Sequence, residues 1–225
     1  MLKANVLGLS DGHVVTDSGV FRARCLIDAS GWRAVLASSI RREFVRKADM
    51  GFGIETTVDY EGEDMHFWCD SRVVSPGVGW CFPCGGHARI GVGSYNSQTS
   101  LVANLASLLT QFHRPAAEMH GGFFPSRFRQ VTVDNIFLVG DAAGQCEPLT
   151  GFGIRPALYF GAKCGDIVQK FIAGKTSLEE GLACYENLVG RSRRYYAFLG
   201  WAQDHLMSLP DPALTRWLVF FAGGR

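Results

Sequence analysis

"IFLVGDAAGQCEPLTGFGI", residues 136–154, decides how this chain folds. A short apolar run stops at Gly140-Asp141, and small residues and turn formers follow. Pro148, Gly151 and Gly153 come next, and then a long helical pattern begins. A strand ending in glycine lets a ligand reach its backbone with no Cβ in the way. Asp141 then becomes a fixed acceptor, well placed for a hydroxyl. An isolated Gly-Asp is usually only a turn. The string GDAAG-x3-P-x2-G-x-G-I needs too many positions to agree for that reading to suffice. A strand that feeds a helix through such a turn is an α/β feature, not a sandwich feature.

Outward from that stretch, the chain is organised by its turns. Residues 5–28 read as a small antiparallel unit, with turns at Ser10-Asp11-Gly12 and Asp17-Ser18-Gly19 and a last run "VFRARCLIDA" that stops at Ala29-Ser30-Gly31. Residues 32–47 are a basic, helical or irregular crossing. From 50 to 95 the runs "MGFGIETTVDY", "DMHFWCDSRVV", "GWCFP" and "ARIGVGSY" alternate as a multistranded antiparallel sheet does. Leu101, Val102, Leu105, Leu108, Leu109 and Phe112 repeat at helical spacing, with Ser or Thr available as N-cap at 97–100. "GGFFP" reads as a loop, and "VTVDNIFLVGD" as a return to strand. Residues 153–173 and 177 to about 205 read as two helices, with Gly174 capping the first and Leu182, Tyr185, Leu188 and Val189 on one side of the second.

Composition narrows the function classes. With 47% hydrophobic and 19% charged residues the chain is an ordinary globular sequence. The balance of 22 basic against 21 acidic residues gives no electrostatic reason to expect nucleic acid as a partner. Seven scattered cysteines fit reduced thiols better than a disulfide framework. No apolar run approaches the ~18 residues of a membrane span, and the N-terminus has no signal-peptide core. The expectation is a cytoplasmic protein.

The helix starting near Gly153 offers free N–H groups and a positive dipole end, which suit a pyrophosphate or the electron-rich edge of a reduced flavin. "VGDAAGQCEPLTGFGIRPAL" resembles the second FAD-binding signature of the flavoproteins built like p-hydroxybenzoate hydroxylase, and most resembles that of the geranylgeranyl reductases. The resemblance implies that Asp141 binds the ribityl chain. It implies that Gly140, Ala142 and Ala143 line the cofactor, with Pro148 in the same signature, and that Gly151, Gly153 and Ile154 sit beside the isoalloxazine. Phe152 departs from the pattern, because many members carry an acidic residue there. "CLIDASGWRAVLA" resembles the strand that closes against the cofactor domain, which would put Ala29-Ser30-Gly31 near the adenosine half. "SPGVGWCFPCGGHARIGVG" resembles the reductases' substrate-domain signature: Trp80, Phe82, Pro83, Gly91 and Gly93 match, while Val78 replaces a tyrosine and Cys84 a basic residue. On pattern alone Trp80 and Phe82 could be packing aromatics on one strand face; beside a cofactor motif they read as the wall of an apolar substrate pocket.

One part of that family's pattern is not in this sequence. Such proteins begin with a strand, a GxGxxG turn and a helix that hold the FAD pyrophosphate. Here "GFG" at 51, "GVG" at 91 and "GFG" at 151 all lack the third glycine. In family terms the sequence starts partway through the cofactor domain, and the FAD site is incomplete without a βαβ segment upstream or on another chain. This chain alone is therefore expected not to retain FAD.

Rival chemistries are weaker. Cys81-Phe82-Pro83-Cys84 is a lone CxxC ending a β-run, with neither the helix N-terminus of a redox dithiol nor the second pair of a zinc site. The six histidines show no HExxH or paired spacing, so no metal is expected. Cys146, inside the motif, reads as a small buried hydrophobe or a pocket thiol. "GRSRRYY" at 190–196 is a solvated helix face or a contact for phospholipid headgroups or an acidic substrate end. "WLVFFAGG" at 217–224 is apolar enough for an interface or peripheral membrane contact and too short to span.

The expected fold class is α+β / α/β: an incomplete FAD/NAD(P)-binding Rossmann-like domain with an antiparallel β-sheet substrate domain and C-terminal helices. Residues 1–48 and 129–175 form the two parts of the FAD-binding domain, 49–128 the substrate domain and 176–225 a helical region. By resemblance the function is FAD-dependent reduction of C=C bonds in an isoprenoid chain, the flavin being reloaded by a donor such as NAD(P)H or ferredoxin. A flavin-dependent monooxygenase or halogenase, and an inactive fragment or one half of a split flavoprotein, stand as alternatives.

Overall fold

A computed structural model describes residues 3–115 and 118–221, the last by its backbone alone. In chain order the strands are β1 Val6–Ser10, β2 His13–Thr16, β3 Gly19–Phe21 and β4 Leu26–Asp28, followed by helix α1 Val35–Ile40. Then come β5 Met50–Asp59, β6 His66–Trp68, β7 Gly77–Pro83, β8 His87–Ser94, α2 Val102–Thr110 and β9 Met119–Pro125. The remainder is β10 Thr132–Val133, β11 Ile136–Leu138, α3 Ile154–Ile172, α4 Leu178–Gly190, α5 Arg193–Ser208 and α6 Asp211–Phe221. Among the described residues no helix is long and apolar enough to cross a membrane.

The chain divides into two compact units: Met1–Lys47 with Pro125–Gly200, and Ala48–Phe124 with Trp201–Arg225. In the first, β1, β2 and β3 form an antiparallel meander whose first turn, Asp11-Gly12, has positive φ at both positions, as a tight hairpin turn of the favoured hand requires. A second sheet has the order β10-β11-β4, with β11 and β4 parallel. Every residue of β11 is buried, which suits a strand covered on both faces. Helix α3 lays Phe160, Cys164, Ile167 and Val168 into this core at amphipathic spacing, and α4 adds Tyr185 and Val189. Burying a side chain such as Phe160 or Ile167 contributes about 1.5–3 kcal/mol. The parallel pair matters most for function, since both of its strands end at the same edge of the sheet.

In the second unit, five strands lie in the order β6-β7-β8-β5-β9, the first four antiparallel. Alternation sends Ile54, Val58, Cys81, Ala88, Ile90 and Val92 to one face, under Leu105, Leu108 and Leu109 of α2. Gly53, Trp80, Phe82, Gly91 and Gly93 fall on the other face by the same alternation. Asp211, at the start of α6, accepts hydrogen bonds from the Ser71 backbone (3.3 Å) and hydroxyl (2.7 Å) and ties that helix to the loop after β6.

Several expectations need correction. "GGFFP" is not a loop: it lies in β9, at the edge of the five-stranded sheet, and Gly121 permits a close approach that a methyl would spoil at 2.7 Å from Ile54 Cγ2. "VFRARCLIDA" is two strands in different sheets, and "VTVDNIFLVGD" is a hairpin turned at Asp134, where φ is +50°. In "DMHFWCDSRVV" only His66–Trp68 pair as a strand. No serine or threonine caps α2; Leu101 occupies that position without a side-chain bond. The helix expected from 177 to about 205 breaks between α4 and α5 at Arg191-Ser192, and α6 follows. Of the apolar run 217–224, residues 222–224 lie outside the described residues, as do Met1 and Leu2.

Candidate functional site

The parallel strands β4 and β11 deliver two turns to one edge. After β4 the chain turns through Ser30-Gly31, with Gly31 at φ +72° and open space where a side chain would stand. After β11 it turns through Gly140–Ala143 as a short 3-10 helix. The two turns pack together, so Gly31, Gly140, Asp141, Ala142 and Ala143 are neighbours. Ligands of open α/β sheets bind where the carboxyl ends of parallel strands separate. Gly140 has φ +65°, which favours glycine, and a methyl there would stand a tight 3.2 Å from the Ala157 Cβ of α3. Gly144 closes the turn at φ +67°, where a methyl would overlap the Arg127 carbonyl.

Each turn is held by its own carboxylate or cation. Buried Asp28 accepts hydrogen bonds from Ser30 N–H (3.1 Å), Leu36 N–H (2.9 Å) and Ala37 N–H (3.2 Å), so it is fully engaged in capping α1. Arg129 donates to the carbonyls of Trp32 (2.8 Å) and Asp141 (3.1 Å), stitching the two turns to each other. Asp141 itself is different. Its half-buried carboxylate accepts no hydrogen bond among the described residues, and burial pushes its pKa up while the Arg129 charge pulls it back. A desolvated carboxylate with spare acceptor capacity is ready for a hydroxyl donor.

The loop from Glu147 to Gly153 closes on itself, with Glu147 N–H donating to the Phe152 carbonyl and Gly151 N–H to the Glu147 carbonyl, both at 2.9 Å. A methyl at Gly153 would stand 3.3 Å from the Asp141 carboxylate, whereas one at Gly151 (φ +69°) meets nothing. Helix α3 starts after Gly153 without a side-chain cap, and Pro156 has no N–H to offer. Its free donors are therefore those of Ile154 and Arg155. Ile154 is 81% exposed and Phe152 56%, an apolar surface beside the Asp141 turn. Pro148 lies on the opposite side of the loop, toward Gly200 of α5. Cys146 is buried next to Asp141, its thiol pushed up to about 12 by burial first and the two neighbouring carboxylates second. It behaves as a small hydrophobe, not a nucleophile.

The residues of the Trp80 signature stand in the second unit. The Trp80 indole lies flat over Gly91 and Gly93 of β8 and Gly53 of β5; methyls at 93 and 53 would stand 3.2 and 3.4 Å from the ring, and one at 91 would overlap it. Those glycines thus seat the indole. Phe82 stacks beside it at 6.2 Å, and Phe67 meets Phe82 edge-on at 5.2 Å. Pro83 closes β7. Cys81 points into the opposite core and Cys84 is exposed, so the pair does not converge. No group of three or more metal-ligating side chains occurs among the described residues.

Four residues that the sequence did not flag belong to the Asp141 turn: Arg129, Gln145, Tyr185 and Tyr196. Gln145 sits inside the quoted motif, and Tyr196 inside the basic run at 190–196, where it is buried and donates to the Gln145 carbonyl at 3.0 Å. A buried glutamine within a glycine-rich turn was the one available signal.

Known proteins share parts of this sequence and its fold. A family model described as tryptophan halogenase matches residues 6–190. A digeranylgeranylglycerophospholipid reductase from Methanothrix thermoacetophila is 33% identical over 135 residues, covering 56% of this chain and 34% of that protein. A digeranylgeranylglycerophospholipid reductase 2 from Methanothermobacter thermautotrophicus is 30% identical over 158 residues, covering 62% of this chain and 40% of that protein. The chain thus spans between 34% and 40% of the length of these curated relatives. Its fold is shared with a geranylgeranyl bacteriochlorophyll reductase-like protein from Thermoplasma acidophilum, at TM-score 0.81 and 22% identity over 95% of this chain and 60% of that one.

Proposed function

The chain belongs to the tryptophan halogenase family, and within that flavoprotein setting, from the two reductase relatives, we propose that it is the flavin-side and substrate-sheet portion of an FAD-dependent oxidoreductase acting on the C=C bonds of an isoprenoid chain. The observation that carries the cofactor assignment is the half-buried Asp141 carboxylate, which accepts no hydrogen bond among the described residues, among backbone turns open to a ligand. The residues present fit the ribityl and ring half of FAD. Asp141 would accept from a ribityl hydroxyl; Gly140, Ala142 and Ala143 would let the cofactor lie on backbone; Gly151, Gly153 and Ile154 would border the ring, with Gly31 toward the adenosine half. The free N–H groups of Ile154 and Arg155 favour negative charge at its edge. When bound, the flavin supplies the hydride, reloaded by NAD(P)H or a ferredoxin.

On the second unit, Trp80, seated on Gly91 and Gly93, and Phe82 beside it would offer flat apolar surface to a prenyl chain and exclude water from it, while Pro83 falls on the opposite face of the sheet. The prenyl substrate rests on the two reductase relatives. A lipid substrate suits a cytoplasmic protein with peripheral membrane contact, and exposed Trp217 and Phe220 of α6 are suited to such a surface. The family match favours a second reading, halogenation or oxygenation of an aromatic ring. The sequence has no GxGxxG turn, and a segment that holds the FAD pyrophosphate, on this or another chain, is part of the proposal.

The test is product analysis on protein expressed with its flanking genomic sequence, supplied with a reduced donor and a polyprenyl lipid. A saturated prenyl chain supports the reductase reading. An intact prenyl chain beside a halogenated or hydroxylated aromatic ring overturns it.

A further inference from the structure

The turn that carries Asp141 is tied down from three directions. Gly140 N–H donates to the Gln145 side-chain carbonyl at 2.7 Å, and Gln145 N–H donates to the Gly140 carbonyl at 3.0 Å. The Gln145 amide donates to the Tyr185 hydroxyl at 3.2 Å, and that hydroxyl donates to the Leu138 carbonyl at 2.9 Å. Tyr196 holds the Gln145 carbonyl from the other side at 3.0 Å. Gln145 and Tyr185 are wholly buried and Tyr196 is nearly so. A buried polar network is strong only when every member is satisfied, and these members are.

These bonds share a pattern. They end on the backbone of Leu138 and Gly140, before Asp141, and of Gln145, where its turn closes, while the Asp141 carboxylate receives none. The scaffold therefore fixes the direction in which this carboxylate points and leaves its acceptor capacity for something else. Tyr185 comes from α4 and Tyr196 from α5, outside the glycine-rich motif. We propose that Gln145 and Tyr185 are positioning residues that aim Asp141 at the ribityl chain of the flavin. The inference rests on the flavin reading above.

A merely structural tie would weaken every flavin alike. A tie that aims Asp141 acts only on ligands that carry ribityl hydroxyls, which gives a readout apart from activity and apart from folding. The experiment titrates FAD and lumiflavin, which keeps the ring and lacks the ribityl chain, into the full 225-residue chain, reading bound flavin by equilibrium fluorescence. Binding too weak to survive purification is still measurable this way. The variants are Tyr185→Phe, which keeps the ring in the core, and Gln145→Met, which carries the same comparison if the first does not fold. Each should weaken FAD about tenfold, the scale of one charge-assisted hydrogen bond lost, and change lumiflavin less than about twofold. In an Asp141→Ala background Tyr185→Phe should have no further effect on FAD. Equal weakening of both ligands, no weakening of either, or an undiminished effect in the Asp141→Ala background overturns the proposal while leaving the flavin reading intact. Wild-type chain that binds neither ligand defeats the flavin reading, and the proposal falls with it.

Discussion

Replacing Gly91 by alanine tests what the glycines of the Trp80 signature are for. A methyl at Gly91 would overlap Cζ2 and Cε2 of the Trp80 indole and stand 2.7 Å from the Ile54 carbonyl. Ordinary carbon contact needs 3.5–4.0 Å, so the ring must rise by about 1 Å, which forfeits a quarter to a half of its attraction to the sheet. The indole Nε1, buried without a hydrogen-bond partner among the described residues, would regain some water and offset part of this. Overpacking of this kind costs about 1–3 kcal/mol, and the cross-strand carbonyl places Gly91→Ala near the upper end, about 2–3 kcal/mol. For a chain of this size that is a fall of about 4–12 °C in Tm. The Ile54 clash persists whatever occupies position 80, so in a Trp80→Leu background the same substitution should cost only about 1 kcal/mol. The difference, a coupling of about 1–2 kcal/mol, is what a double-mutant cycle in urea would measure. An equal cost in both backgrounds would sink the reasoning, because the glycine would then be kept for something other than the indole.

Most of the other predictions concern the first unit. Asp141→Asn should stabilise the chain at neutral pH. The carboxyl's folded pKa is raised, mainly by burial, so its contribution to stability is full below the ordinary value of 3.8 and is lost as pH rises through the folded value. The gain from asparagine should therefore vanish on acidification, and a pH-independent gain in urea titrations would contradict the burial argument. The same variant should bind FAD about fivefold more weakly, since a neutral acceptor replaces a charged one. Gly144→Ala should cost at least about 3 kcal/mol, from the left-handed backbone and from displacement of the 127–129 segment; a variant that melts like wild type would show the turn to be adaptable. Exposed Cys84 and Cys184 should react with Ellman's reagent at once, and buried Cys146 and Cys164 only on unfolding; fast modification of all four would mean that the first unit opens readily.

What was legible in the sequence follows from the range of the forces involved. Gly140 and Gly153 could be picked out because a turn that must pass close to other atoms tolerates a Cβ poorly, and that constraint is local, whereas Gly151 is marked only by its positive φ and Gly144 was not singled out. The sheet of the second unit was legible because period-two alternation is local as well. "GGFFP" was misread because its strand character depends on a partner, β5, sixty or so positions away, and glycine pairs ordinarily signal a loop. The break at Arg191-Ser192 was hidden because nothing in the apolar spacing marks it, and α4 and α5 each continue the pattern.

The same distinction explains the candidate site. Asp141 announces itself by its neighbours, but its environment does not: Arg129 arrives from the segment between β9 and β10, Tyr185 from α4 and Tyr196 from α5. Tyr185 looked like one more apolar position on a helix face, and its ring does pack against Phe137 at 5.8 Å. Only the hydroxyl at the far end of that ring, donating to the Leu138 carbonyl, gives it a second role. A residue can satisfy the hydrophobic pattern completely and still carry a polar contact that the pattern cannot encode. For that reason Tyr185→Phe is more informative here than any substitution within the glycine-rich turn: it leaves the pattern intact and removes the contact alone.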